Sequence, residues 1–307
     1  MRLRPRRRAV GVPSPFVVGV GRSGTTLLRL MLDAHPELAV PPETGFAPKV
    51  IRAGRERPAP AAMTALLRDQ RSWGDHRLDE AELERRLAAA GRLDGTATLR
   101  AFYGLYAEGQ GKPRWGDKTP AYVRRMPMIE RALPEARFIH VIRDGRDVAL
   151  SRGRRRLATG DAPGPARVAE VWRDRILRAR EDAKRVHHYL EVRYEDLVGD
   201  TEPTLRRVAA AIELPWDEAM LRYYERAPER LAEMARDLPA AGKKLSRSGD
   251  ERMAAHALAA EPPKPERIAT WRERMSEADR TAFEGVAGDL LAELGYEVGS
   301  GQTSGVA

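Results

Sequence analysis

Short apolar runs bounded by turn residues alternate along this chain with longer stretches in which apolar positions recur at helical spacing. Residues 15–20 (PFVVGV), 137–142 (RFIHVI) and 189–193 (YLEVR) have strand length and are rich in β-branched or aromatic side chains. The near-continuous apolar character of the first two predicts strands covered on both faces. A glycine turn follows the first run. Leu27, Leu28, Leu30, Met31 and Leu32 then make a helical pattern, which Pro36 stops because the residue before a proline avoids helical geometry. Further helices are predicted at about 79–90, 166–187, 204–212 and 276–294. Strands alternating with helices predict an α/β fold built on a parallel sheet with helices on both faces.

Residues 51–112 are rich in arginine and alanine and mostly helical in pattern, and read as an insertion or lid over the sheet. Residues 240–265 are small, charged or proline and read as a mobile loop. A single domain over 13–298 is expected, between a disordered basic tail at 1–12 and a frayed tail at 299–307.

Composition narrows the function classes. The 307 residues can bury one sizeable core, and charged residues at 32% suit a soluble protein. No stretch approaches the roughly 18 apolar residues of a membrane span. With no cysteine, disulfides and thiolate metal sites are excluded. The six histidines lack zinc-like spacing, so a metal-independent cytoplasmic protein is expected. Of the net charge of +9, five units come from arginines within the first eight residues. A second basic run at 152–156 reads either as a solvated helix end or as a neighbour of a phosphate-rich ligand. Aromatic residues are only 6% and none interleave with these arginines, so nucleic acid is not an expected partner.

Candidate chemistry starts at the first strand-to-helix turn. Gly19 and Gly24, with Thr26 in the hydroxyl position, fit the GxxxxGK[ST] spacing of a phosphate-binding loop. Glycines admit a phosphate close to the backbone, and N–H groups at a helix start face an anion. The expected architecture is therefore a P-loop-like parallel sheet flanked by helices, with a mostly helical insertion. Thr25 stands where a nucleotide hydrolase has lysine, and the cation has moved to Arg22. A second constellation follows the strand at 137–142. Arg143 lies at its carboxyl end, where parallel sheets place ligands, and Ser151 falls about two turns into the next helix. An arginine and a hydroxyl so placed suit a phosphate dianion.

Residues 16–46, with their RSGTT, LDAHP and ET runs, and residues 141–151 (VIRDGRDVALS) resemble the sulfotransferases that use 3′-phosphoadenosine 5′-phosphosulfate (PAPS). In detail they are most similar to tyrosylprotein sulfotransferases and their bacterial relatives. The resemblance covers about two-thirds of the chain; it is absent from 51–112 and loose from 224 to 263. It implies that Arg22, Ser23, Gly24, Thr25 and Thr26 hold the 5′-phosphosulfate, and that Arg143 and Ser151 hold the 3′-phosphate. It also implies that Glu43 is the general base, that Lys118 of the WGDKTP run stabilises the transferring group with Arg22, and that Tyr194 supports the nucleotide. No metal is implied.

Departures leave the acceptor open. Tyrosylprotein sulfotransferases carry a membrane anchor and disulfides, whereas this chain has no cysteine. Their late catalytic serine has Ser248, in KKLSRSG, as its best counterpart. A tyrosine, sugar, lipid or natural-product hydroxyl all remain acceptors to consider, and the arginine- and alanine-rich composition points to a bacterial source. The alternatives by residue pattern are a magnesium-dependent P-loop kinase or nucleotide hydrolase, and a non-catalytic nucleotide-binding module.

Overall fold

Unbroken burial across residues 14–19 marks the first strand, β1 (Ser14–Gly19), as the interior of the sheet it belongs to. The structure is a computed structural model describing residues 11–91, 93–156, 164–240 and 246–299, without the side chains of 154–156. Most of both expected tails, Lys243 and Lys244 of the KKLSRSG run, and the side chains of most arginines of the second basic run lie outside that description.

After β1 come α1 (Thr25–Asp33), β2 (Leu38–Ala39), α2 (Ala47–Ala53), α3 (Pro60–Arg68), α4 (Glu80–Ala89), α5 (Gly95–Gly109), β3 (Arg114–Trp115) and β4 (Asp117–Lys118). Next are α6 (Met126–Ala132), β5 (Ala136–Ile142), α7 (Gly145–Arg156), α8 (Pro165–Ala183), β6 (Tyr189–Arg193), α9 (Tyr194–Gly199) and α10 (Thr201–Ala211). The chain continues through α11 (Ala227–Leu231), α12 (Gly249–Ala254), α13 (Trp271–Arg274) and α14 (Glu277–Glu293).

The main sheet is parallel, in the order β4-β1-β5-β6, with β2 and β3 paired separately. Alternation along the central strands divides the core. Phe16, Val18 and Phe138 face the helices of 47–132, while Val17, Ile139 and Val141 face α1 and α10. A third cluster joins Ile142 and Val148 to Trp172 on α8 and Phe283 on α14. The expected α/β architecture is present, as are the three apolar strands within a residue of their predicted bounds.

The residues of the expected insertion pack on the sheet: Phe102 and Tyr103 share a core with Phe16 and Phe138. One feature differs from the sequence reading. Residues 240–265 were expected to be loop, yet they contain α12, which starts with a capping box in which Ser248 accepts from Glu251 N at 3.1 Å and Glu251 accepts from Ser248 N at 3.0 Å. No helix among the described residues is long and apolar enough to cross a membrane.

Candidate active site

All four strands of the main sheet deliver a candidate residue at their carboxyl ends. The 20–24 turn leaves β1, Lys118 closes β4, Arg143 follows β5 and Tyr194 follows β6. Parallel α/β sheets place ligands at this edge because the strand-to-helix turns converge there.

The β1–α1 turn is shaped as an anion cradle. Gly24 stands at φ 92°, and a Cβ there would run into the Tyr194 ring, so only glycine lets the tyrosine pack on the loop. No side chain caps α1, and its first-turn N–H groups are left for an anion. The Ser23 hydroxyl and Arg143 Nε are buried without a hydrogen-bond partner. Buried polar atoms of this kind are normally satisfied, and a phosphate or phosphosulfate would satisfy them. The residues present therefore fit the expected donor.

Arg22 ties the loop to the second constellation. At φ 81° it takes a conformation that L-residues seldom adopt. Its Nε donates to Ser151 Oγ at 2.9 Å, and its carbonyl lies 3.5 Å from Arg143 Nη1. The Arg143 guanidinium stacks over the Tyr194 ring at 4.2 Å and donates to the Arg267 carbonyl at 3.0 Å. Its own carbonyl is fixed by Trp172 Nε1 at 3.0 Å. Burial raises the Tyr194 phenol above its ordinary value, with the neighbouring Arg143 opposing the shift. Asp144 is paired bidentately with the buried Arg146, at 2.8 and 3.1 Å.

On the other side of the loop, Lys118 Nζ donates to Glu43 Oε1 at 2.9 Å and lies 3.4 Å from Thr26 Oγ1. The lysine is 1% exposed and the glutamate 51%. Burial pushes the Lys118 ammonium below lysine's usual range, and the Glu43 carboxylate works against that shift. A buried network underlies the pair. Thr44 Oγ1 donates to Asp117 Oδ2 at 2.7 Å, Tyr103 OH donates to the same oxygen at 2.9 Å, and Tyr122 OH meets Thr44 Oγ1 at 2.8 Å. Burial raises the Asp117 carboxyl to about 6, while bonds from Thr44 and Tyr103 hold it down. Thr44 and Asp117 each adjoin one member of the Glu43–Lys118 pair, so the network fixes both backbones.

The candidate residues from the sequence thus meet at one edge of the sheet. Three further participants were not assigned there. Asp117 and Thr44 lay inside quoted motifs but had no visible partner. His256 had no local signal: its Nδ1 approaches Thr26 Oγ1 at 3.3 Å, and the neighbouring Ala255 carbonyl accepts from Arg22 Nη1 at 3.1 Å. Burial, with the nearby Lys118 charge, lowers the His256 imidazole to about 3, so it is neutral near pH 7. Ser248 sits at the opposite end of α12, exposed, with its hydroxyl engaged in the cap.

A family model described as the sulfotransferase family matches residues 13–218. The chain is 26% identical over 289 residues to protein-tyrosine sulfotransferase A of Caenorhabditis elegans, covering 93% of this chain and 67% of that protein. It is 29% identical to nodulation protein NoeE of Sinorhizobium fredii, covering 92% of this chain and 65% of that one. Against the Drosophila melanogaster protein-tyrosine sulfotransferase the identity is 27%, and the match spans only 40% of the fly protein. Among solved structures, the sulfotransferase domain of the Synechococcus PCC 7002 olefin synthase superposes with a TM-score of 0.62 at 22% identity, covering 97% of this chain and all of that one. The sulfotransferase domain from the curacin biosynthetic pathway gives 0.59 at 20% identity, covering 93% of this chain and 99% of that one. These two likenesses concern the fold.

Proposed function

The chain belongs to the sulfotransferase family, and we propose on that footing that it moves the sulfuryl group of PAPS to an acceptor hydroxyl. The observation that carries the reading is the position of Lys118, whose ammonium reaches both Thr26 of the anion cradle and Glu43. A cation for the transferring group and a carboxylate for the acceptor proton thus share one point.

In this scheme the phosphosulfate rests on the N–H groups and hydroxyls of 22–26, and the 3′-phosphate on Arg143 and Ser151, with Tyr194 supporting the nucleotide. Glu43 takes the acceptor's proton as its oxygen bonds to sulfur. The bridging S–O bond breaks, and its electron pair leaves on 3′-phosphoadenosine 5′-phosphate (PAP). Lys118 and Arg22 offset the charge that grows on the leaving phosphate and the sulfuryl oxygens. The scheme asks for no metal. A tyrosine hydroxyl is one acceptor to test, beside sugar, lipid and natural-product hydroxyls. Zero cysteine in 307 residues suits a reducing compartment, and the cytoplasm is the location proposed.

Calorimetry with PAP against ATP, each with and without magnesium, tests the donor. Tight binding of PAP that ignores magnesium is expected; preference for Mg-ATP would overturn the reading in favour of a kinase or hydrolase. Incubation of labelled PAPS with panels of hydroxyl compounds then identifies the acceptor.

A further inference from the structure

The helical insertion grips the C-terminal segment at a site apart from the sheet. Asp75, on the single turn Trp73–Asp75, is 2% exposed and accepts from Arg252 Nη1 at 3.1 Å and Nη2 at 2.5 Å. Arg252 also donates to the Arg236 carbonyl at 2.8 Å. The Arg236 guanidinium lies 3.9 Å from Asp75, and a Cβ on Gly74 would overlap it. Arg71 adds a bond to the Leu238 carbonyl at 3.2 Å. A buried bidentate ion pair fixes direction as well as distance, and removing one partner leaves an uncompensated charge.

Arg252 belongs to α12, and one helical turn later the chain reaches Ala255 and His256. Those residues touch Arg22 and Thr26 of the anion cradle. A continuous path therefore runs from Asp75 through Arg252 and α12 to the side chains of Arg22 and Thr26 in the candidate cradle.

Building on the sulfotransferase reading, we infer that the Asp75–Arg252 pair is a latch holding α12 as a cover over the sulfuryl-transfer point, keeping bulk water from the donor. Asp75 is a positioning residue; it acts through Arg252 and touches neither donor nor acceptor. Releasing the latch lets water compete with the acceptor. Water's oxygen then bonds to sulfur, the bridging S–O bond breaks with its electrons going to PAP, and sulfate leaves as water's protons pass to solvent.

The test measures PAP affinity by calorimetry and PAP release from PAPS without acceptor, in wild type, Asp75→Asn, Arg252→Gln and the double variant. The expected result is acceptor-free hydrolysis raised about tenfold in each single variant, the double variant matching the singles because the pair acts as one unit. PAP affinity changes far less. A contact that only stabilises the fold would lower the melting temperature and leave hydrolysis per folded molecule unchanged, which overturns the latch. Additive effects in the double variant overturn it too. Should Asp75→Asn fail to fold, Arg252→Lys, which keeps the charge but loses the two-pronged geometry, carries the same readouts. Failure of wild type to bind PAP overturns the sulfotransferase reading itself, whereas normal PAP binding with unchanged hydrolysis in the variants overturns the latch alone.

Discussion

Lys118 and Glu43 meet at 2.9 Å across the mouth of the site, the lysine buried and the glutamate half exposed. In the proposed scheme this asymmetry separates their roles: the buried cation serves the donor, and the carboxylate open to solvent meets the incoming hydroxyl. Glu43→Gln keeps the size of the side chain and removes its basicity. The expected outcome is a fall in kcat of about 10²- to 10⁴-fold with PAP affinity preserved, measured by steady-state rates beside calorimetry. A near-normal rate would remove Glu43 as base and direct attention to His256.

Arg143 gives a second expectation. Arg143→Ala should weaken PAP by about 10- to 100-fold, the worth of a charge-assisted contact to phosphate. Adenosine 5′-phosphate lacks the 3′-phosphate and should bind both proteins alike. Equal loss on both ligands would mean that the arginine acts on the loop through Tyr194 and Arg22 rather than on the 3′-phosphate.

The Asp117 network predicts a different signature. Asp117→Asn puts an amide NH2 where Oδ1 is buried without a partner, so either that donor stays unpaired or Thr44 and Tyr103 lose the oxygen they share. Folding stability should fall by about 1–3 kcal/mol in urea titrations. Among molecules that remain folded, kcat should drop while PAP binding persists, because the donor cradle is built on other strands. Unchanged kcat would show that the Glu43 turn is held without this carboxylate.

His76 supplies a pH test. Burial lowers its imidazole to about 4, against partial support from Asp75 and nearby carbonyls, and its Nε2 has no partner. A folded value below the unfolded one means that this contribution is fully present above pH 6.5 and is lost as pH falls toward 4. By pH 4.5 the loss from this ring is about 2.5 kcal/mol. His76→Phe keeps an aromatic ring against Phe46 and Phe102. The variant should therefore gain on wild type as pH drops from 7.5 to 4.5. Parallel curves in urea titrations would contradict this.

The turn and strand end that bring the candidate residues together were legible in sequence because their information is local. One glycine turn, one strand end and one helix fix Arg22 to Thr26, and the same holds for Arg143 and Ser151. The apolar strands were legible for the same reason. β4 was not, since its two residues are Asp117 and Lys118, whose burial depends on partners more than ten residues away. α12 was hidden by composition: small and charged residues carry little periodic signal, and only the Ser248–Glu251 cap marks its start. His256 reaches Thr26 across 230 positions of sequence, a closeness that no spacing rule encodes.

Strand order bears on how the molecule comes to be made. β1 lies between β4 and β5, so its backbone partners are more than a hundred residues further along the chain. During synthesis the cradle sequence leaves the ribosome well before either neighbour exists. Parallel pairing over such separations must first meet the entropy of closing a long loop, which slows it. The bare FVV segment of β1 is open to misassociation during that interval. The cradle sequence is thus translated before both of its strand neighbours and becomes competent only after they arrive, and chaperone demand should concentrate on that nascent stretch.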